Sequence, residues 1–354
     1  MTEQANTLAR GSATPIQLGN NEPTTYVKGQ SLWADAWKRL RRNRMAMVGL
    51  IIIAMIVITA LFADRLAPRH YAADNLAQNN AVPSWLPFIF PTVKPVGTEG
   101  GYAKLNDSYP LGADSNGRDL LSRLMYGTRI SLGVAIVGPL VSLLLGLLIG
   151  SLSGYVGGWV DSLLMRFVDL MYAFPALLLI ILMMAVFRSS FADTQPGTFA
   201  YEMNKLDRAF GGMLFIFIGI GLTSWEGMAR LARGQVLSIK QREYVQAARS
   251  IGMTHRQIMF RHVMPNILGP LIVAETLAIP AYISTEAFLS FIGLGVNPPT
   301  PSWGSMIQSG AQAIKSYPNQ AIFPALALAL TMIAFNFLGD GLRDALDPRM
   351  RGVD

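Results

Sequence analysis

EYVQAARSIGMTHRQIMFRHVMPN, from Glu243 to Asn266, is cationic, rich in small residues, broken by one glycine and closed by one proline. Long apolar runs flank it on both sides. Read as a helix from Glu243 to Ile251, it places Tyr244, Ala247, Ala248 and Ile251 on one face at i, i+3, i+4 and i+7. Arg242 and Arg249 lie away from that face. Gly252 is placed to end the helix by taking positive φ. Thr254 then caps a second helix with Gln257 three residues on, the pattern of a capping box. That helix carries Ile258, Met259, Val263 and Met264, and Pro265 is expected to turn the chain into the next apolar run. The prediction is two short helices at a fixed elbow, the first thin enough at its alanines to lie in a partner protein's groove. An amphipathic helix resting on anionic lipid would explain the arginines but not the paired caps.

Composition says what surrounds this segment. Of 354 residues, 51% are hydrophobic and only 14% are charged, against about 25% charged in soluble domains. A bundled polytopic membrane protein fits these values. The net charge of +7 is read as loop lysines and arginines that set membrane orientation, not as a nucleic-acid surface. With no cysteine there is no disulfide framework, thiolate metal site or Cys nucleophile. His70, His255 and His262 are too scattered for a metal site. The polar start, residues 1–36, lacks the early apolar core of a signal peptide and reads as a tail ahead of an uncleaved anchor.

A membrane-crossing helix needs about 20 mostly apolar residues. Six candidates are Ala46–Ala63, Ile130–Gly154, Phe167–Phe187, Gly211–Trp225, Asn266–Ile292 and Gln320–Leu338. The fourth is short, with room to extend back into Leu206–Phe210. WKRLRRNR (Trp37–Arg44) directly before the first crossing places the N-terminus in the cytoplasm. The segment 226–265 is then cytoplasmic too, with Arg230, Arg233, Lys240, Arg242, Arg249, Arg256 and Arg261 against Glu226 and Glu243. Six crossings return the C-terminus, DGLRDALDPRMRGVD, to the same side. The expected fold is all-α and polytopic, with six transmembrane helices, both termini cytoplasmic, and short coupling helices between crossings four and five. Its parts are a tail (1–36), a basic start and first crossing (37–63), an external loop (64–117) and a five-crossing core (118–354). A second external segment, Arg188–Phe210, reads as a smaller cap.

Within lipid, small residues let helices approach closely. Gly146, Gly150, Gly154 and Gly158 recur every fourth residue and line one face, toward a neighbour in this chain or another. Pro139, Pro175 and Pro280 are each expected to kink a crossing. Intramembrane carboxylates are costly, about 2.5–3.5 kcal/mol at mid-span. That singles out Glu275 and Glu286 as candidates for a polar translocation path or for bonding within the bundle. Asp169 is placed near the inner boundary.

The opening stretch resembles the EAA loop of the membrane subunits of binding-protein-dependent ABC importers. Ala247, Ala248, Gly252 and Pro265 stand at the family's spacings. Gln246, His262 and Met264 depart from its Glu, Ile and Leu. Glu-Tyr-Val before the alanines and Arg-His before the final hydrophobics are similar to the peptide/nickel branch. Three further stretches resemble that branch: LGADSNGRDLLSRLMYGTRISLG (Leu111–Gly133), TEAFLSFIGLGVNPPTPSWGSMI (Thr285–Ile307) and FNFLGDGLRDALDPRMR (Phe335–Arg351). WKRLRRNRMAMVGL adds a fourth.

The resemblance implies a multi-pass inner-membrane permease that performs no chemistry itself. Its implied partners are a second permease subunit, two ATPase subunits, an external solute-binding protein and membrane lipid, with no nucleic acid. No cofactor is expected on this chain; ATP and Mg would be held by the ATPases, and no Gly-x-x-x-x-Gly-Lys-Ser/Thr loop occurs here. Glu243, Tyr244, Ala247, Ala248, Arg249, Gly252, His262 and Pro265 would then be ATPase-coupling residues. Peptides are the favoured cargo, with nickel complexes, opines, glutathione and oligosaccharides open. A gradient-driven secondary transporter is the competing reading; it would favour mid-membrane relays and inverted repeats, of which Glu275 and Pro280 offer only a weak version. An intramembrane enzyme lacks any Gly-x-Ser-x-Gly or His-Glu-x-x-His signature.

Overall fold

The computed structural model describes residues 32–190 and 195–346; most of the tail and the last eight residues lie outside them. Among the described residues there is no β-strand, only isolated bridges in the segment between the first two crossings. A short basic helix, α1 (Leu32–Arg42), precedes α2 (Arg44–Leu66), with the Asn43 side chain accepting from the Ala46 amide at the junction. After a single turn of helix, α3 (Leu86–Ile89), comes α4 (Leu120–Val156). The expected third crossing falls on α5 (Gly158–Ala173) and α6 (Ala176–Ser190), and the expected fourth on α8 (Leu214–Leu222) and α9 (Trp225–Lys240), with α7 (Phe199–Ala209) between them. Helices α10 (Glu243–Ser250), α11 (His255–Ile258) and α12 (Met264–Phe291) follow, then α13 (Trp303–Gln312) and α14 (Asn319–Leu346).

Four helical runs are long and apolar enough to cross a membrane: Arg44–Leu66, Leu120–Val156, His255–Phe291 and Asn319–Leu346. Two bent pairs, α5 with α6 at 78° and α8 with α9 at 42°, make up to six if each pair is one span. The chain is thus a polytopic membrane protein. Four of the expected spans, the second to the fifth, are corrected. The second crossing starts at Leu120 rather than Ile130, because the Asp119 carboxylate accepts the Ser122 amide (2.7 Å) and nucleates the helix early. Its 37 residues give about 55 Å, well beyond the roughly 30 Å hydrocarbon layer. The third crossing is broken at Pro175, which cannot donate a helical hydrogen bond, rather than merely kinked. The fourth does not reach back into Leu206–Phe210, because Gly211 and Gly212 take positive φ and close α7. Nor does it stop at Trp225, since helix resumes there and runs to Lys240. The fifth run begins at His255, not Asn266: Pro265 lies in the first turn of α12, where its missing N–H costs little, and Met259–Val263 joins α11 to α12 as a π-helical turn.

The glycine row settles how α4 packs. A Cβ added at Gly146 would lie 2.5 Å from Met228 Cβ, one at Gly150 would lie 2.7 Å from Ala232 Cβ, and one at Gly154 would lie 2.9 Å from the Arg233 carbonyl. All three face α9 of the same chain. Gly158 does not join them: an added Cβ there meets nothing, and its φ of +60° marks the turn into α5. Elsewhere α14 packs on α2, with Gly49 against the Ala334 carbonyl region and Gly341 against Ala46 and Leu40.

The segment between α2 and α4 is an ordered cap. The Asp114 carboxylate accepts the Asn116 and Arg118 amides and the Arg118 guanidinium (2.9, 3.0 and 2.7 Å). Asn319 donates to the Leu111 carbonyl (2.8 Å), and Gln320 donates to Asn80 Oδ1 and the Ala113 carbonyl (2.8 and 3.0 Å), tying the cap to the start of α14. Within it, the Ser84 amide donates to Asp107 (2.7 Å) and holds that carboxyl below the usual range.

Candidate functional site

Helix α10 ends in a Schellman motif. The Gly252 amide donates to the Arg249 carbonyl (3.0 Å) and the Met253 amide to the Ala248 carbonyl (3.1 Å). Gly252 has φ +84° and open space around it, so backbone conformation rather than crowding calls for glycine here. The next helix starts two residues later with the reciprocal capping box: the Gln257 amide donates to Thr254 Oγ1 (3.3 Å) and the Thr254 amide to Gln257 Oε1 (2.9 Å). A backbone–backbone pair on one side and a backbone-to-side-chain pair on the other thus fix the elbow.

The face of α10 that seats it is not the one periodicity suggested. Val245 and Ala248 are the buried residues, packed with Met228, Ala232 and Val236 of α9 and with Ile258, Val263, Ile267 and Leu271. Full burial of Val245 and Ile258 contributes about 1.5–3 kcal/mol each where the alternative is water. Tyr244, Ala247, Arg249 and Ile251 are exposed, Ile251 at 79% of its surface. The predicted face is therefore split: Ala248 turns inward, while the other three present an outward, partly apolar surface.

Polar contacts lock the elbow to the rest of the bundle. Lys240 at the end of α9 donates to the Tyr155 carbonyl at the end of α4 (2.8 Å), and the Tyr155 hydroxyl meets His255 Nδ1 (3.1 Å). Arg233 grips Asp161 of α5 through two hydrogen bonds of 2.6 Å, and Ser153 of α4 donates to the same carboxylate. This bidentate geometry is the strong form of ion pair. Arg230 pairs with Asp169 (2.7 Å) in a more exposed position and covers the Tyr172 ring at 4.2 Å. The Tyr244 and His262 rings lie 6.3 Å apart. Glu243, Tyr244 and Pro265 border a cavity of about 900 Å³ shared with Asp35 and Arg39 of α1 and the end of α14. The structure thus gathers every predicted coupling residue at one end of the bundle.

The two candidate path carboxylates are not gathered. Eleven residues of helix, about 16 Å, separate Glu275 from Glu286. Glu275 is buried and accepts from Ser142 of α4 (2.5 Å) and Tyr282 (3.1 Å). Glu286 is fully buried, with Ser290 donating to it at 2.6 Å. Neither lines the intramembrane cavity of about 600 Å³ between the two broken crossings. That cavity is bordered by Tyr172, Pro175, Thr223, Ser224, Glu226 and Tyr282. Glu226, which the sequence groups with the basic segment 226–265, is 9% exposed and sits in the first turn of α9. Its signal in the sequence is TSWEG, although Ser224 does not cap the helix: its hydroxyl donates to the Ile220 carbonyl (2.7 Å).

A family model described as "Binding-protein-dependent transport system inner membrane component" matches residues 146–352. A second, "N-terminal TM domain of oligopeptide transport permease C", matches residues 31–83. The chain is 38% identical to the oligopeptide transport system permease protein OppC of Bacillus subtilis, with 92% of each chain covered. It is 37% identical to the dipeptide transport system permease protein DppC of the same organism, covering 94% of this chain and 91% of that one. Identity to the glutathione transport system permease protein GsiD of Shigella flexneri is 36%, covering 90% and 91%. With its helical crossings, its elbow and these matches along nearly its whole length, the chain belongs to the family of binding-protein-dependent transport system inner membrane components.

Proposed function

We propose that this chain is a permease subunit of an ATP-driven importer of peptides, set in the inner membrane with both termini in the cytoplasm. The observation that carries the reading is similarity to oligopeptide and dipeptide permeases over more than nine-tenths of the chain. Two ATPase subunits, a second permease and an external solute-binding protein complete the assembly, and ATP and Mg stay on the ATPases. The exposed face of α10, with Tyr244, Ala247, Arg249 and Ile251, docks against an ATPase. Val245 and Ala248 carry that subunit's motion into α9 and α12, because the elbow is hydrogen-bonded on both sides and packed on both helices. ATPase closure then biases a two-state bundle. The cavity beside Glu226 and Tyr282, rather than Glu275 or Glu286, forms part of the path.

The test is reconstitution. The chain is purified with its co-expressed neighbours, placed in liposomes, and supplied with radiolabelled di- and oligopeptides and binding protein. Uptake that requires ATP and the hydrolytic subunits is the expected result. Uptake by the chain alone under an ion gradient would favour the secondary-transporter reading instead.

A further inference from the structure

The cap carries an apolar surface that the permease reading leaves unused. From Ala81 to Val93, AVPSWLPFIFPTV, there is no charged residue. Helix α3 lies at its centre. Leu86 and Val93 are buried in the cap with Val82 and Ala103, while Phe88 is 92% exposed and Ile89 61%. Trp85 meets the Phe323 ring at 6.1 Å. Phe323 is the fifth residue of α14, about 6 Å along the helix from its start, so it lies just past the first turn of a crossing. It also shares a helix face with Leu326, Leu330 and Ile333, at i+3, i+7 and i+10, all three exposed. The bare apolar edge of the cap is therefore continuous with a bare apolar stripe on a membrane-crossing helix, and it sits at the depth where the stripe begins.

We infer that Trp85, Phe88 and Ile89 form a wedge that inserts into the lipid interface at the α14 N-terminal end, with phospholipid as the occupant. Three features favour lipid over a protein. The wedge has no charge to pair with a partner, its tryptophan suits the headgroup boundary, and it continues an exposed apolar stripe on a membrane-crossing helix. The leaflet is the outer one under the orientation proposed above; the insertion itself rests only on α14 crossing the membrane. The wedge would anchor the cap and fix its height over the bundle.

The lack of native cysteine makes the test direct. A nitroxide label is placed on Phe88→Cys or, in a second preparation, Ile89→Cys, and on Glu99→Cys as the water-facing reference. The full importer is reconstituted in phosphatidylcholine–phosphatidylglycerol vesicles, with labelled wild-type complex as the blank for partner thiols. Relaxation by oxygen is compared with relaxation by a water-soluble nickel chelate. At positions 88 and 89, oxygen contact should exceed nickel contact, with the nickel value several-fold below that at position 99. Nickel contact equal to that at position 99 would overturn the proposal, as would exclusion of both reagents, which would mean a protein covers the wedge. Loss of peptide uptake in these variants would bear on the importer reading and not on insertion, which the label reports separately.

Discussion

The two ends of α9 are built differently. From its middle to its C-terminal end the helix packs Ala232 and Val236 against the glycine row of α4, holds Asp161 through Arg233, reaches Tyr155 through Lys240 and carries the elbow on the same Ala232 and Val236. At its N-terminal end it begins after a 42° break at Thr223–Ser224, beside a cavity and opposite the 78° break at Pro175. One end is a close-packed joint and the other borders open volume and freed backbone. The difference teaches where the proposed coupling would act: a displacement at the elbow would be carried by the close-packed half of α9 and taken up at the breaks.

Four experiments test that contrast. Gly150→Leu should do the most damage, because even a Cβ there crowds Ala229, Ala232 and Arg233. Overpacking costs about 1–3 kcal/mol or more, so folded complex should be lost on size-exclusion chromatography. Gly234→Ala, in open space on α9, should leave the yield intact or raise it; equal yields for the two would refute a tight seam. Next is Gly252→Pro, which removes the amide donating to Arg249 and demands φ near −65° where the chain has +84°. Insertion should persist while peptide uptake falls severalfold per ATP hydrolysed, and unchanged uptake would argue against a rigid elbow. A double-mutant cycle on Arg233→Ala and Asp161→Ala should give a coupling of about 1–2 kcal/mol in thermal unfolding. The same cycle on Arg230 and Asp169, whose side chains are 43% and 64% exposed, should give no more than about 0.5 kcal/mol. Reversal of that order would move the joint up the helix.

The uninterrupted apolar runs of α2 and α14 were legible because lipid leaves few other readings for such a stretch. Both caps of the elbow were legible too, since Gly252 and Thr254–Gln257 are local signals. What the sequence hid was tertiary. Val245 and Ala248 share a face just as Tyr244, Ala247 and Ala248 do, and only α9 and α12 decide which face turns inward. Hydropathy could not show that the fourth crossing is broken, because the residues on either side of Thr223–Ser224 keep it looking like one short span. Pro265 was taken for a corner because the π-helical turn ahead of it has no compositional mark. Glu226 was grouped with the basic segment by proximity, although its carboxylate is nearly buried beside a cavity.

That π-helical turn, Met259–Val263, closes with the Met264 amide donating to the Met259 carbonyl five residues back. It holds one residue more than an α-helical turn of the same length would. Were it to tighten to ordinary α geometry, everything beyond it would rotate by about 100° and advance by about 1.5 Å. Under the docking proposed for α10, torque applied there would meet a screw thread next to the elbow, and would become a change in which side chains of α12 face their neighbours.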